Sequence, residues 1–511
     1  MRFERSAGIL LHPTSLPGRF GIGDLGNEAY NFANFLVTAG QKLWQVFPLG
    51  PTGYGDSPYQ CFSAFAGNPL MISPEILKND GFLKDEDLHI VPRFDSHKID
   101  FGRVIDYKYK LLRKAFENFK KNRTEIEKSL KTFESENKDW LEDFAFFMAA
   151  KDYHGGKLWT EWDKDLVLRK KDALGKWKEK LADGMHFHKF IQFIFFKQWE
   201  QLKKYVNEKG IKIIGDMPIF IAYDSADLWS HKDIFTVDKE GKLINVAGVP
   251  PDYFSATGQR WGNPLFKWEE MEKDEFGWWR RRIANILKLV DIVRIDHFRG
   301  FDKFWQIPGD APTAQKGKWV KAPGDKFFKT LKKHLGDLPI IAEDLGLITK
   351  SVIELRDKFN FPGMKILQFA FGKGMEKKFL PHNYVKNCVV YTGSHDNDTT
   401  RAYFEKAKKE NSDIFKHAQK YLNYYGDDIT FELIRTAYAS SADTVVLPMQ
   451  DILNLSGEAR MNYPGTLGNN WTWRFTWEQI YPELAEKYRS LAELYERPPE
   501  PEEEVKEVDN P

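Results

Sequence analysis

DIVRIDHF, residues 291–298, is a short run of branched aliphatic residues that closes on a carboxylate, and PIIAEDLG, residues 339–346, repeats the pattern. Six further runs of the same kind follow the chain: GILLH (8–12), LWQVFPL (43–49), IKIIGDMPIF (211–220), MKILQFAF (364–371), CVVYTGSHD (388–396) and TVVLPMQD (444–451). Continuous rather than alternating hydrophobicity is what a parallel strand requires when helices cover both faces of its sheet. Helical patterns separate the runs, at 27–39, 188–209, 274–290, 349–359, 398–440 and 476–496. Eight parallel strands joined by crossover helices close into a (β/α)8 TIM barrel in preference to an open doubly wound sheet. The fold class expected is therefore α/β.

Uneven spacing between the runs locates insertions. Residues 1–69 hold the first two barrel strands. Residues 70–187, with amphipathic stretches such as VIDYKYKLLRKAFENFKKNRTEIEKSL, predict an inserted, mainly helical subdomain. The rest of the barrel occupies 188–496. It carries a loop-built insertion near 219–273, rich in Gly, Pro, Asp and Trp, and a shorter excursion at 301–330. Residues 497–511, RPPEPEEEVKEVDNP, combine proline with a dense acidic run and read as a disordered tail.

Composition narrows the function classes. The 511 residues include 75 basic and 74 acidic ones, a formal net charge of +1, so no surplus of positive charge points to nucleic acid. Length alone, at about 150 residues per domain, would allow several domains, but barrels with insertions reach this size as one unit. Cys61 and Cys388 are too few for a disulfide framework. The N-terminus lacks a secretory apolar region, and no stretch approaches the ~20 apolar residues of a membrane span. A cytoplasmic protein with no membrane partner is expected. Phe (40) outnumbers Gly (37), and aromatics reach 15% of the chain, a stock suited to stacking on flat ligand faces as well as to core packing.

Reacting groups of a (β/α)8 barrel sit at the C-terminal ends of its strands. Three runs close there on carboxylates: Asp296, Glu343 and Asp396, on the expected fourth, fifth and seventh strands. Adjacent strands lie about 4.8 Å apart, compatible with the ~5–5.5 Å carboxyl separation of retaining glycosidases. An Asp or Glu at a strand end is ordinarily a helix cap or a ligand for loop N–H groups, and Asp344 and Asp398 are read that way. Arg294, two residues before Asp296 and on the same side of the strand, marks Asp296 as a carboxylate kept ionised. His12, His297 and His395 do not fall at a metal-ligand spacing, so no metal is expected. GxSxG and Walker sequences are absent, which sets aside serine hydrolysis and phosphoryl transfer.

Loops after the strands concentrate aromatic and amide residues. GPTGYGDSPYQ (50–60) supplies Tyr54, Ser57 and Tyr59. GVPPDYFSATGQRWGNP (248–264) supplies Asp252, Tyr253, Phe254, Gln259 and Trp261, and NYPGTLGNNWTWRF (462–475) supplies Asn462 and Asn470. Rings that stack on pyranose faces beside amides that bind hydroxyls fit a sugar site.

With these motifs the sequence resembles the 4-alpha-glucanotransferases, the amylomaltase or disproportionating enzyme family of the α-amylase clan. The likeness runs from GILLHPTSLPGRFGIGDLG through WQVFPLGPTGYGDSPYQ, IGDMPIF, VRIDHFRGF, IIAEDLG and YTGSHDNDTTRAYF to NYPGTLGNNW. It implies transfer of α-1,4-glucan segments, with no cofactor and no C-terminal β-sandwich; sequence does not set the oligomeric state, for which a monomer is the expectation. By motif position Asp296 would be the nucleophile of a retaining double displacement, Glu343 the acid/base and Asp396 the transition-state stabiliser. Arg294, His395 and Asp216 would line the donor sugar. The family's loop over the cleft would be 248–264, with Asp252, Gln259 and Trp261 facing substrate, and Tyr54 would mark a secondary glucan contact. One departure is Gly372-Lys373 after QFAF, where relatives carry acidic residues. An α-amylase-like hydrolase and a catalytically silent glucan-binding protein are the rival readings, and three retained carboxylates speak against the silent one.

Overall fold

The structure, a computed structural model, describes residues 3–121, 125–251, 255–372 and 377–497, apart from the side chains of Tyr54 and Glu125. Its strands are β1 (Ser6–Leu10), β2 (Leu43–Gln45), β3 (Lys212–Pro218), β4 (Asn245–Val249), β5 (Gln259–Pro264), β6 (Ile292–Asp296), β7 (Lys303–Pro308), β8 (Lys318–Lys321), β9 (Ile340–Ala342), β10 (Gly363–Ile366), β11 (Cys388–Tyr391) and β12 (Thr444–Pro448). Eight of them close into a barrel in the order β1-β12-β11-β10-β9-β6-β3-β2. Each apolar run of the sequence supplies one of these eight.

All barrel pairs are parallel, and the register between β3 and β6 sets Asp216 against Arg294 and Pro218 against Asp296. On the other side of β6, Ile295 pairs with Ala342, so Glu343, one residue past the end of β9, is level with Asp296 at the end of β6. Aliphatic residues of the strands and aromatic residues of the surrounding helices merge into one continuous core. Within the barrel Tyr391 donates to Gln45 Oε1 at 2.8 Å, so the buried phenol and amide satisfy each other.

Two loop expectations are corrected. Segments 219–273 and 301–330 contribute β4, β5, β7 and β8, which form an antiparallel sheet in the order β5-β4-β7-β8 over its own small core of Val246, Ile307, Ala311 and Ala314. Their periodicity is hidden because the strands are short, the register shifts between Val246 and Gly248, and burial along them alternates only in part. The amphipathic helix Gly324–Leu335 was also unforeseen, lying at the edge of a stretch read as an excursion.

The helical pattern 398–440 is not one helix but three, Thr400–Lys409, Asp413–Leu422 and Thr430–Ala439. Asn411 (φ 48°) and Asn423 (φ 50°) adopt the left-handed conformation that asparagine tolerates, which ends the first two. The helix expected at 188–209 begins earlier, running unbroken from Ala182 to Glu208. After β12 the described residues form the one-turn helix Met449–Ile452, turns and the helix Glu483–Leu494, with no further sheet strand among them. No helix of the described residues is long and apolar enough to cross a membrane.

At the N-terminal ends of the strands the chain is fastened by Arg497, which is fully buried. Its guanidinium donates to the carbonyls of Ser6, Tyr438, Ser440, Ala442 and Asp443 at 2.8–3.2 Å. Arg5 also donates to Tyr438, Ser440 and Ala442, and the Ser6 N–H to Asp443, so removing Arg497 deletes five buried bonds from a charged donor rather than orphaning the carbonyls, at about 0.5–1.5 kcal/mol or more each. Arg497→Ala is expected to lower stability by roughly 3 kcal/mol or more in denaturant unfolding, with Arg497→Lys intermediate. A loss below about 0.5 kcal/mol, the range of ordinary surface substitutions, would refute the fastening.

Candidate active site

Arg294 organises the C-terminal mouth of the barrel. Its Nη1 meets Asp216 Oδ2 of β3 at 2.6 Å, its Nη2 meets Asp296 Oδ1 at 3.1 Å, and its Nε reaches Met364 Sδ of β10 at 3.3 Å. Burial works against the guanidinium charge, but Asp216 and then Asp296 outweigh it and hold the arginine's pKa well above its ordinary value. Burial pushes the Asp216 carboxyl upward, opposed by the same arginine. Tyr59 donates to Asp216 Oδ2 at 2.9 Å and stacks on His395 with ring centroids 4.9 Å apart. Ser57 Oγ accepts the Tyr59 N–H at 3.2 Å, which shapes the loop that delivers the phenol.

Glu343 sits beside this group but in a different environment. Its Oε2 accepts the His297 N–H at 2.7 Å and its Oε1 accepts the Leu345 N–H at 2.9 Å. His297 is left-handed (φ 54°), so the chain turns sharply after β6. The main chain is stitched too: Glu343 N–H donates to Ile295 O at 3.0 Å, and Phe298 N–H to Glu343 O at 3.1 Å. Burial, and after it the negative charge of Asp296, lifts the Glu343 carboxyl to about 8. Asp296 by contrast keeps 32% of its side chain exposed. One carboxyl holds a proton near neutrality, and its neighbour touches a guanidinium, an arrangement suited to an acid paired with a nucleophile.

Asp396 belongs to the loop after β11. Asn462 Nδ2 donates to its Oδ1 at 2.6 Å, Arg460 Nη2 to its carbonyl at 2.8 Å, and His395 Nε2 lies 3.5 Å from Oδ1. Half of its side chain is exposed. The structure thus gathers Asp216, Arg294, Asp296, Tyr59 and His395 into one contact group, with Glu343 on the adjoining strand end and Asn462 joined through Asp396.

Gln259 and Trp261 lie on β5. Trp261 Nε1 donates to Gln259 Oε1 at 3.1 Å, and its ring meets His297 edge-on at 4.9 Å, which links the antiparallel sheet to the loop that holds Glu343. Asp252, Tyr253, Phe254, Lys373 and the side chain of Tyr54 lie outside the described residues. Gly372 is described, and a Cβ there would meet open space.

Asp344 and Asp398 are ligands of backbone N–H groups: Asp344 accepts the Met364 N–H at 2.8 Å and pairs with Arg356, and Asp398 accepts the Thr399 N–H at 2.9 Å. Sequence reasoning missed Arg460, whose reach to the Asp396 carbonyl leaves no mark in a motif. It also missed Trp471, which packs 5.5 Å from Tyr59 and 5.7 Å from His395 and was visible only as one aromatic in NNWTWRF. His12 stacks on Phe47, and burial pushes its pKa down to about 3, so it stays neutral. Among the described residues no cluster of three or more His, Cys, Asp or Glu could hold a metal ion.

The closed parallel barrel with carboxyl groups gathered at its strand ends is the architecture of a (β/α)8-barrel enzyme. A family profile described as 4-alpha-glucanotransferase matches residues 11–479, and the chain belongs to that family, an enzyme of the glycosyltransferase class. It is 48% identical to a 4-alpha-glucanotransferase of Thermus thermophilus over 97% of this chain and 100% of that one. It is 41% identical to the chloroplastic/amyloplastic 4-alpha-glucanotransferase of Solanum tuberosum, over 97% of this chain and 87% of the other. Among solved structures, the amylomaltase of Streptococcus agalactiae in complex with acarbose superposes with a TM-score of 0.93 at 40% identity, covering 97% of this chain and 100% of that one.

The environment of Glu343 has a measurable thermodynamic signature. A carboxyl whose pKa rises on folding from 4.5 to about 8 contributes stability that is full below 4.5, declines as pH rises and is gone above about 8. Glu343→Gln is neutral throughout, so its stability relative to wild type is expected to be greater at pH 9 than at pH 4. Denaturant midpoints at the two pH values test this, and an identical difference at both would contradict the elevated carboxyl.

Proposed function

We propose that the protein transfers α-1,4-glucan segments between maltooligosaccharides, or longer chains of starch or glycogen type, by a retaining double displacement. The observation that carries this reading is the contrast between Asp296, 3.1 Å from the Arg294 guanidinium, and Glu343, held by the N–H groups of His297 and Leu345 and raised to about 8. Asp296 attacks the anomeric carbon while Glu343 gives its proton to the departing glycosidic oxygen, forming a covalent glucosyl-enzyme. Glu343, now ionised, takes the proton of an acceptor 4-hydroxyl, and that oxygen displaces Asp296. Two inversions retain the configuration.

Asp396, steadied by Asn462, binds donor hydroxyls and stabilises the oxocarbenium-like transition state. Arg294, Asp216, Tyr59 and His395 wall the donor sugar, with Ser57 shaping that wall. Gln259 and Trp261, with Asp252, serve the acceptor side, and Tyr54 offers a second glucan contact. The protein works as a cytoplasmic monomer without a cofactor, its barrel carrying the helical insertion 70–187.

Maltotriose incubated with the protein is expected to yield glucose and longer maltodextrins together. Asp296→Asn is expected to reduce that turnover by at least ~10⁴-fold while leaving the fold intact, because the amide keeps the volume and loses nucleophilicity. Turnover within tenfold of wild type would remove Asp296 from the nucleophile role.

Transfer prevails over hydrolysis only where the sugar acceptor is oriented and productive water is limited. Trp261, edge-on to the loop that holds Glu343, occupies the right place for both. Trp261→Ala is expected to raise hydrolysis relative to transfer, read as new reducing ends per glucosyl unit transferred. An unchanged ratio at normal total activity would assign acceptor selection elsewhere.

A further inference from the structure

The segment that carries His395 and Asp396 runs from Thr392, directly after β11, to Thr400, the first residue of the helix Thr400–Lys409. Both threonines are fully buried, and both ends of the segment converge on one side chain. Asp451, in the turn of helix after β12, is 2% exposed. Its Oδ2 accepts the hydroxyls of Thr392 at 2.5 Å and Thr400 at 2.6 Å, and its Oδ1 accepts the Thr400 N–H at 2.8 Å.

A second clamp comes from the opposite neighbour. Gln368, just past β10, donates its amide to Asp398 O at 3.0 Å and to Thr400 Oγ1 at 3.3 Å, and its own N–H to Thr392 O at 3.2 Å. Between the clamped ends the tip is tied to itself, where Asn397 Oδ1 accepts from the N–H and hydroxyl of Ser394, both at 2.9 Å, and to the segment after β12, where Arg460 Nη2 donates to Asp396 O at 2.8 Å and Asn462 Nδ2 to Asp396 Oδ1 at 2.6 Å. Asp396 therefore projects from a short arch whose two feet rest on one carboxylate.

We propose that Asp451 is the positioning residue of the site: by holding Thr392 and Thr400 together it sets where Asp396 and His395 present themselves to the donor sugar. This rests on the reading of Asp396 as transition-state stabiliser. Two features favour a carboxylate at 451. The pair of hydroxyls and the backbone N–H present three donors to two oxygens, which carboxylate lone pairs accept without strain. The N–H also belongs to the first residue of a helix, where negative charge is favoured. Displacing a reacting group by about 1 Å costs on the order of a hundredfold in rate, so a brace of this kind shows in turnover before it shows in binding.

The experiment compares Thr392→Val, Thr400→Val, Asp451→Ala and Asp451→Asn in maltotriose disproportionation. Each valine variant keeps side-chain shape and is expected to lower kcat about tenfold, and Asp451→Ala about a hundredfold, with KM within roughly threefold. Asp451→Asn is expected to recover most of the loss, since its amide oxygen still accepts the Thr400 N–H while the hydroxyls turn to accept from its NH2. If Asp451→Ala fails to fold, the two valine variants decide.

A cycle with Asp396→Asn separates positioning from general stability. On the residual turnover of that variant, the valine substitutions are expected to cost less than about twofold, because the group they position is already disabled. Folded valine variants with kcat within about twofold of wild type, or a full tenfold loss persisting beside Asp396→Asn, would overturn the proposal. Failure of the underlying reading looks different, since Asp396→Asn would then itself turn over like wild type, leaving the brace nothing to position.

Discussion

A guanidinium buried among carboxylates is expensive to create and more expensive to leave incomplete. Arg294 stands inside the barrel mouth with Asp216 at 2.6 Å and Asp296 at 3.1 Å, and every other feature of the site is referred to it. Removing one partner of such a buried set costs roughly 3–5 kcal/mol, because an unpaired charge remains in a medium that solvates it poorly. The side chain that enforces the geometry is thus also one the fold depends upon. Tyr59 completes the set through Asp216, and His395 lies against Tyr59, so a single charge fixes the wall formed by β3, β6 and the loop after β11.

Glu343 takes its character from what surrounds it. Two backbone N–H groups aim at its oxygens, which by itself favours the ionised form, yet burial and the neighbouring charge of Asp296 prevail and lift it to about 8. Of the two carboxyls on adjoining strands, Asp296 meets the guanidinium while Glu343 accepts from backbone N–H groups. The asymmetry follows from which of them the arginine can touch.

Much of this was legible in the sequence, and what was not is physically instructive. The eight barrel strands could be counted because strands buried on both faces must be continuously apolar, and Asp296 and Glu343 could be singled out because each closes such a run. The antiparallel sheet left no comparable trace: β4 and β5 bury one face in part, and the bulge at Gly248 breaks the alternation. The breaks at Asn411 and Asn423 hid inside a helical pattern because asparagine tolerates both conformations. Arg460 was illegible for a different reason, since its importance lies in what it touches across the barrel mouth, and Asp451, though it closes the eighth run, carried no sign of its partners, because contact between distant segments is not written in local spacing.

The stitching of β6 to β9 bears on how such a protein diversifies. Glu343 N–H to Ile295 O and Phe298 N–H to Glu343 O are main-chain bonds, so the spacing between Glu343 and Asp296, the proposed acid and nucleophile, does not depend on which side chains line the cleft. Gln259 and Trp261, the residues proposed for the acceptor side, lie by contrast on β5, part of a separate sheet with its own small core. Stereochemistry and clientele are therefore held by different parts of the molecule. Substitutions in the inserted sheet can retune which sugar is served while the handedness of the product stays with the barrel backbone.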